Sequence, residues 1–306
     1  MNISKKLLVT GLMSLIFAIG FAQEDEEESG SVIQTLTPSK LIGKGQFDIK
    51  WFNNLYTQTR AANENGDVTS GLPRETFFTS TLEGYTGVSD NKRVNVGLIL
   101  EFRSNVIGDR SALDVFSFDG EAGTARSGLT NIAPSVKFVP FANVNNFSIQ
   151  SSIFIPIFDQ ETDGGVFLDQ NGFTWQNRFF FDKTFGGGDW QLFTELNSEF
   201  NFGKDAVQDA NFDTVEGSFA NNSLRLTPGV FLSYFPSSKF TVLALVQHSQ
   251  LIDLGNDFSQ DFTAVGGGVK YQLTDELNLE TLYTNFVRGN SSGLGETFNL
   301  GARVVF

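Results

Sequence analysis

Residues 46–60 read QFDIKWFNNLYTQTR. Phe47, Ile49, Trp51 and Leu55 fall on one face of an extended chain, and Asp48, Lys50, Asn54, Gln58 and Arg60 fall on the other. The alternation holds for about 15 residues, well beyond the roughly 5 to 6 of an ordinary globular strand. Such a strand keeps one side in an apolar medium and the other in a polar one along its whole length. The pattern returns in RVNVGLILEFR (93–103) and in WQLFTELNSEFNF (190–202), where Trp190, Leu192, Leu196, Phe200 and Phe202 oppose Gln191, Glu195, Asn197 and Glu199.

Twelve segments of this kind can be marked, at 46–60, 75–89, 93–105, 127–141, 147–158, 172–185, 190–203, 222–235, 239–251, 260–273, 276–288 and 296–306. Their connections alternate in length. Long ones at 61–74, 106–126 and 204–221 are interleaved with turns such as SDNKR, FGGGD, PSSK and LTDE. Short turns at one end and long loops at the other are the habit of barrels that span an outer membrane. The fold class expected is therefore all-β: a closed antiparallel transmembrane barrel of about 12 strands over 46–306, with short periplasmic turns and long extracellular loops. The aromatic residues of the apolar face sort to the strand ends: Trp51, Phe138, Phe147, Phe185, Trp190, Tyr234, Phe240, Tyr271 and Phe306 at the periplasmic side, and Phe78, Phe102, Phe173, Trp175, Phe200, Phe202, Tyr283 and Phe298 at the outer side. Two such girdles are what a barrel in lipid carries.

Composition removes other classes. There is no cysteine, hence no disulfide or thiolate chemistry, and the single histidine, His248, cannot form a multi-histidine metal site. A net charge of -14 lacks the basic footprint of a nucleic-acid binder. Residues 1–23, MNISKKLLVTGLMSLIFAIGFAQ, have the basic start, short apolar run and small residue of a secretory signal peptide. Residues 24–45 begin with EDEEESG and are expected to form an acidic flexible tail rather than a plug. The localisation that follows is integral to the outer membrane after signal-peptide cleavage.

The inward face carries ionisable residues of both signs: Asp48, Lys50, Arg60, Glu83, Glu101, Arg103, Lys137, Arg178, Asp182, Glu195, Glu199, Arg225, Lys270, Glu280, Arg288 and Arg303. Two readings are open. Opposed charges can form a selective constriction, or they can cross-link the inside of a closed barrel. Phe52, Tyr56, Phe154, Phe158, Phe180, Phe193, Phe231 and Phe286 share that face, which suits a path for amphipathic or apolar solutes, or else a packed interior. The outer loops are acidic, with groups such as Asp109, Asp114, Asp119 and Glu121. They read as solvated loops, since none has the ligand spacing of a calcium loop. No catalytic set emerges: a serine nucleophile needs a base beside it, and Ser249 points away from the face that carries His248. No enzyme activity, metal or cofactor is expected.

GLTNIAPSVKFVPF (128–141), FSIQSSIFIPIFD (147–159) and VGGGVKYQLTDELNLETLYTNF (265–286) resemble the glycine-led fourth strand, the strand with a late proline and the last hairpins of the outer-membrane family named for the MetA pathway of phenol degradation, related in shape to long-chain fatty acid transporters. That resemblance covers roughly 44–306 and implies passive uptake of small organic solutes, hydrophobic or aromatic ones among them. The competing class is a non-transporting structural barrel or a subunit of a larger envelope complex. The terminal strand ETFNLGARVVF (296–306) should pair with the first. Its last residue, Phe306, resembles the signal read by the outer-membrane assembly machinery. The other expected partners are outer-membrane lipid and lipopolysaccharide.

Overall fold

The computed structural model describes residues 38–203, 207–208, 214–215 and 220–306. The signal-peptide reading, residues 24–37 of the expected acidic tail, and Asp205, Asp209, Asp213 and Glu216 of a further acidic loop lie outside the described residues.

Twelve long strands form the wall: β1 (Phe47–Ala62), β2 (Val68–Gly87), β3 (Val94–Val106), β4 (Ala125–Phe138), β5 (Phe147–Pro156), β6 (Thr174–Phe185), β7 (Trp190–Asn201), β8 (Ser223–Ser237), β9 (Phe240–Asp253), β10 (Gln260–Gln272), β11 (Leu277–Asn290) and β12 (Glu296–Val305). Each pairs antiparallel with its neighbours in sequence, and β1 pairs with both β2 and β12. The sheet therefore closes and has no free edge. At the seam Asp48 lies opposite Val305 and Thr57 opposite Glu296. Phe47 and Phe306 exchange backbone hydrogen bonds of 2.7 and 3.0 Å, and their rings stack at 5.6 Å. No helix among the described residues is long and apolar enough to cross a membrane, so any crossing these residues make is made by strands.

The exterior presents Trp51, Leu98, Ile153, Val246, Leu300 and other large apolar side chains to the surroundings. An exposed apolar belt of this extent is foreign to soluble proteins and normal for a barrel facing lipid. At the strand ends Trp190 meets Tyr234, Trp175 stacks on Phe200, and Tyr283 meets Phe298, so girdle residues of neighbouring strands pack in pairs. Trp51 and Trp175 satisfy their indole N–H groups on Ser80 (2.8 Å) and Ser151 (3.0 Å) across the strand pair.

Three features differ from the sequence expectation. The connection expected to be long at 61–74 is a tight turn at 63–67, because β2 begins at Val68 and the β1–β2 hairpin rises past an irregularity between Gln58 and Arg60. The outer connections at 254–259 and 291–295 are short as well, whereas those at 107–124 and 157–173 are long. Finally, residues 38–45 do not trail away from the barrel. Ser39 is fully buried and its hydroxyl donates to Asp182, Ser148 donates to the Pro38 carbonyl at 3.2 Å, and the Asn95 carboxamide meets the Ile42 backbone. Gly45 N–H continues onto the Gly87 carbonyl at 3.1 Å. The stretch thus crosses the mouth at the short-turn end of the barrel from β5 and β6 to β2 and β3, with Leu41 and Ile42 buried.

Candidate functional site: the barrel lumen

Strand alternation turns every second side chain inward, and together these line a cavity of ≈ 1210 Å³ that reaches all twelve strands. Of the residues expected in the lumen, Asp48, Lys50, Phe52, Tyr56, Glu83, Glu101, Arg103, Lys137, Phe154, Arg178, Phe193, Glu195, Glu199, Arg225, Phe231, Lys270, Glu280, Phe286 and Arg303 lie on its wall.

Five of the expected residues, Arg60, Phe158, Phe180, Asp182 and Arg288, are not on that wall. In β11 one extra residue, Val287, is inserted where Thr263 pairs with Arg288 and Ala264 with Phe286. This bulge reverses the alternation, so Arg288 is half exposed and pairs with Asp261 at 2.7 Å on the other face. Arg60 lies beyond the irregularity at Gln58 and is likewise outside the lining. Phe180 does point inward, but it is fully buried beneath Arg178 and against Phe193. Asp182 is covered by the Ser39 segment. Residues missed from sequence include Phe77, Tyr85 and Phe262, and the aliphatic inward row Leu243 and Leu245 of β9, whose TVLALV run is apolar on both faces. A continuous apolar run gives no sidedness signal.

The charges are organised by strand register. Lys50 pairs laterally with Glu83 and Arg303, which stacks three charges into one row. Arg303 clasps Asp48 with two nitrogens, and Glu280 sits between Lys50 (3.5 Å) and Lys270 (3.3 Å). Arg178 reaches Glu195 at 2.7 Å and Glu83 at 3.7 Å, while Arg225 reaches Glu199 at 3.6 Å. Lys137 lies 3.6 Å above the Tyr85 ring, a cation held against an aromatic face, and the Tyr85 hydroxyl donates to Ser135 at 2.8 Å. The lining therefore holds seven cations (Lys50, Arg103, Lys137, Arg178, Arg225, Lys270, Arg303) and seven anions (Asp48, Glu83, Glu101, Asp169, Glu195, Glu199, Glu280) among the described residues.

Asp169 comes from a loop. The connection at 157–173 turns inward, burying Val166 and Leu168, and the Asn105 side chain donates to the Phe167 and Leu168 carbonyls at 2.7 and 2.9 Å. Asp169 then accepts from Asn131 at 2.8 Å and pairs with Arg103 at 3.2 Å, and Arg103 also holds Glu101 at 2.8 Å. Burial, opposed by Arg103 and assisted by Glu101, pushes the Asp169 carboxyl up to about 6. Nothing in the loop's composition marks it as the one that folds in.

Aromatic rings gather in two patches. Tyr56, Phe77, Phe262 and Phe286 form one, with Phe262 stacked on Phe286 at 4.3 Å and Tyr56 5.0 Å from Phe286. Phe180, Phe193 and Phe231 form the other on β6 to β8, with Phe193 and Phe231 5.4 Å apart. The second patch borders an ion pair, since Arg178, paired with Glu195, lies over the Phe180 ring. His248, on the outer face, meets Thr263 at 3.0 Å, and no group of metal-ligating side chains exists among the described residues.

A closed barrel of this strand number and apolar exterior has the fold of integral outer-membrane barrels. No family model matches the chain, and no curated protein does. Among solved structures it is similar to an outer membrane channel from Pseudomonas putida F1, with 11% identity, 92% of this chain and 100% of that chain covered and a TM-score of 0.66. It is also similar to the β domain of the Bordetella autotransporter BrkA, with 15% identity, 85% and 99% covered and a TM-score of 0.54. At these identities the likeness is one of fold.

Proposed function

We propose that the protein is a passive outer-membrane channel for small organic solutes without net charge, hydrophobic and aromatic ones included. The observation that carries this reading is the composition of the lumen. Seven charges of each sign, nearly all in ion pairs, cancel over the wall, and two aromatic patches lie between them. A wall whose charges are spent on one another offers a hydrated ion little gain for losing its water. A neutral solute with an apolar face finds rings to lie against and amides such as Asn54, Gln58, Gln176 and Gln247 to bond with. The resemblance to the phenol-degradation family points to the same solute class. Outer-membrane lipid, lipopolysaccharide and, through Phe306, the assembly machinery are the partners this reading carries with it.

The test is the full chain in a planar bilayer. Discrete ionic steps with weak charge selectivity are expected, and benzyl alcohol added to the bath should interrupt them reversibly more than benzoate does. Silent membranes together with no solute flux into protein-bearing vesicles would favour the non-transporting barrel instead.

A further inference from the structure

The outer connection between β3 and β4, residues 107–124, folds down the outside of the barrel. It carries a single 3-10 turn at Ala112–Phe116, whose Val115 is fully buried. That turn lies on Leu55, Phe78, Val106 and Ala125 of β1 to β4, all on the lipid-facing alternation. It also covers polar groups of that same face: Ser104 donates to the Val115 carbonyl at 2.6 Å, and Thr76 is 1% exposed. The loop is pinned at its start, where Arg74 N–H donates to Asp109 at 2.8 Å, and braced by Arg110, which binds Asp114, Asp119 and Glu121 at 2.7–3.2 Å.

Outward, the loop shows apolar residues. Leu113 is 67%, Phe116 47% and Phe118 50% exposed. Their height is fixed by ring contacts, because Phe116 packs edge-on against Phe78 at 5.0 Å and Phe118 against Phe102 at 5.4 Å, two members of the outer girdle. Phe118 takes a left-handed backbone with φ of 52°, which a bulky side chain adopts only when its surroundings hold it there. A solvated loop has no reason to hide serine and threonine and display leucine and phenylalanine.

We propose that residues 107–124 form a flange seated in the outer leaflet, with Leu113, Phe116 and Phe118 among lipid acyl chains at the level of the outer aromatic girdle. The loop replaces a polar stretch of barrel exterior by an apolar one. The girdle is thereby widened on the β1 to β4 side only, which gives the barrel a preferred depth and tilt. Interfacial apolar anchoring of this kind reaches about 5 to 10 Å into the boundary between headgroups and acyl chains. The inference rests on the barrel spanning a membrane, and the experiment separates the two.

The chain has no cysteine, so single cysteines can be introduced and labelled with an environment-sensitive fluorophore. Leu113→Cys and Phe116→Cys are read in phosphatidylcholine vesicles with the full chain, beside Leu300→Cys on the lipid face of β12 and Glu64→Cys at an exposed turn. Labels at 113 and 116 should emit to the blue and be quenched several-fold more by headgroup-level nitroxide lipid than by aqueous iodide, with Glu64→Cys behaving oppositely. Quenching of 113 and 116 by iodide as strong as at 64 would overturn the flange. Protection from both quenchers that rises with protein density would overturn it in favour of a second copy of the chain. Loss of lipid quenching at Leu300→Cys would instead indict the membrane reading itself.

Discussion

Arg303 on the last strand grips Asp48 on the first, with Nε 2.9 Å from Oδ1 and Nη2 2.8 Å from Oδ2. The two-point contact ties the seam of the barrel from inside, near its short-turn end, where the backbone ladder runs out at Phe47 and Phe306. Both side chains are largely buried. Replacing Arg303 by alanine strands a carboxylate, which costs about 3–5 kcal/mol for a buried pair broken on one side. Urea unfolding of the refolded barrel in detergent or vesicles is the measurement. D48N combined with R303Q should recover most of the loss, because neither charge is then left alone; a double variant as unstable as R303A would refute the pairing argument.

Gly97 on β3 and Tyr85 on β2 form a second tight relationship. A Cβ on Gly97 would overlap both the Gly84 backbone carbonyl and the edge of the Tyr85 ring, which has Lys137 above it. Gly97→Ala is expected to destabilise by roughly 1–3 kcal/mol, the usual cost of overpacking. The same change in a Tyr85→Ala background should cost less but not vanish, because the contact with the Gly84 carbonyl remains. Thermal shift of the two pairs reads the difference, and equal costs in both backgrounds would place the strain elsewhere.

Most of the architecture was legible in the sequence because a two-sided strand in lipid has no freedom. Each residue faces either acyl chains or the lumen, so alternation gives both the strand and its sidedness. The twelve segments and the seam of β1 with β12 followed from that rule alone. The rule fails wherever alternation slips. One inserted residue at Val287 sent Arg288 to the opposite face, and no composition signal marks it. Loops are governed by tertiary contacts instead. The inward turn of 157–173 depends on Asn105, Asn131 and Arg103 waiting on the wall, and the outward fold of 107–124 depends on Phe78 and Phe102. Residues 38–45 are docked by side chains as distant in sequence as Asp182 and Ser148.

The inward loop should respond to pH. Asp169 sits between Arg103 and Glu101 of β3 and Asn131 of β4, and its carboxyl is raised from an ordinary 3.8 to about 6 by burial first and Glu101 next. Released from the lumen, it would titrate near 3.8. The docked loop therefore holds its proton more tightly, so docking is favoured below 3.8 and weakens as pH rises through about 6. Hydrogen exchange of 157–173 should show more protection at pH 5 than at pH 7, after correction by D169N, whose loop should show no such dependence. Protection that increases with pH, or that is unchanged in D169N, would contradict the assignment.

Charge balance in the lumen makes a last prediction about ions. Glu280 neutralises Lys50 and Lys270 together, at 3.5 and 3.3 Å. Glu280→Gln keeps the shape of the side chain and leaves seven cations against six anions on the described wall. One unbalanced charge felt at about 8 Å through water is worth about 0.5 kcal/mol, roughly a twofold change in the ratio of anion to cation permeability. The reversal potential in a salt gradient should move toward anion selectivity in E280Q. It should move toward cation selectivity in R178Q, which removes a positive charge from the opposite side of the wall. Shifts of the same sign in both variants would mean that the lumen charges do not govern the current, and with it that ions take another route through the barrel.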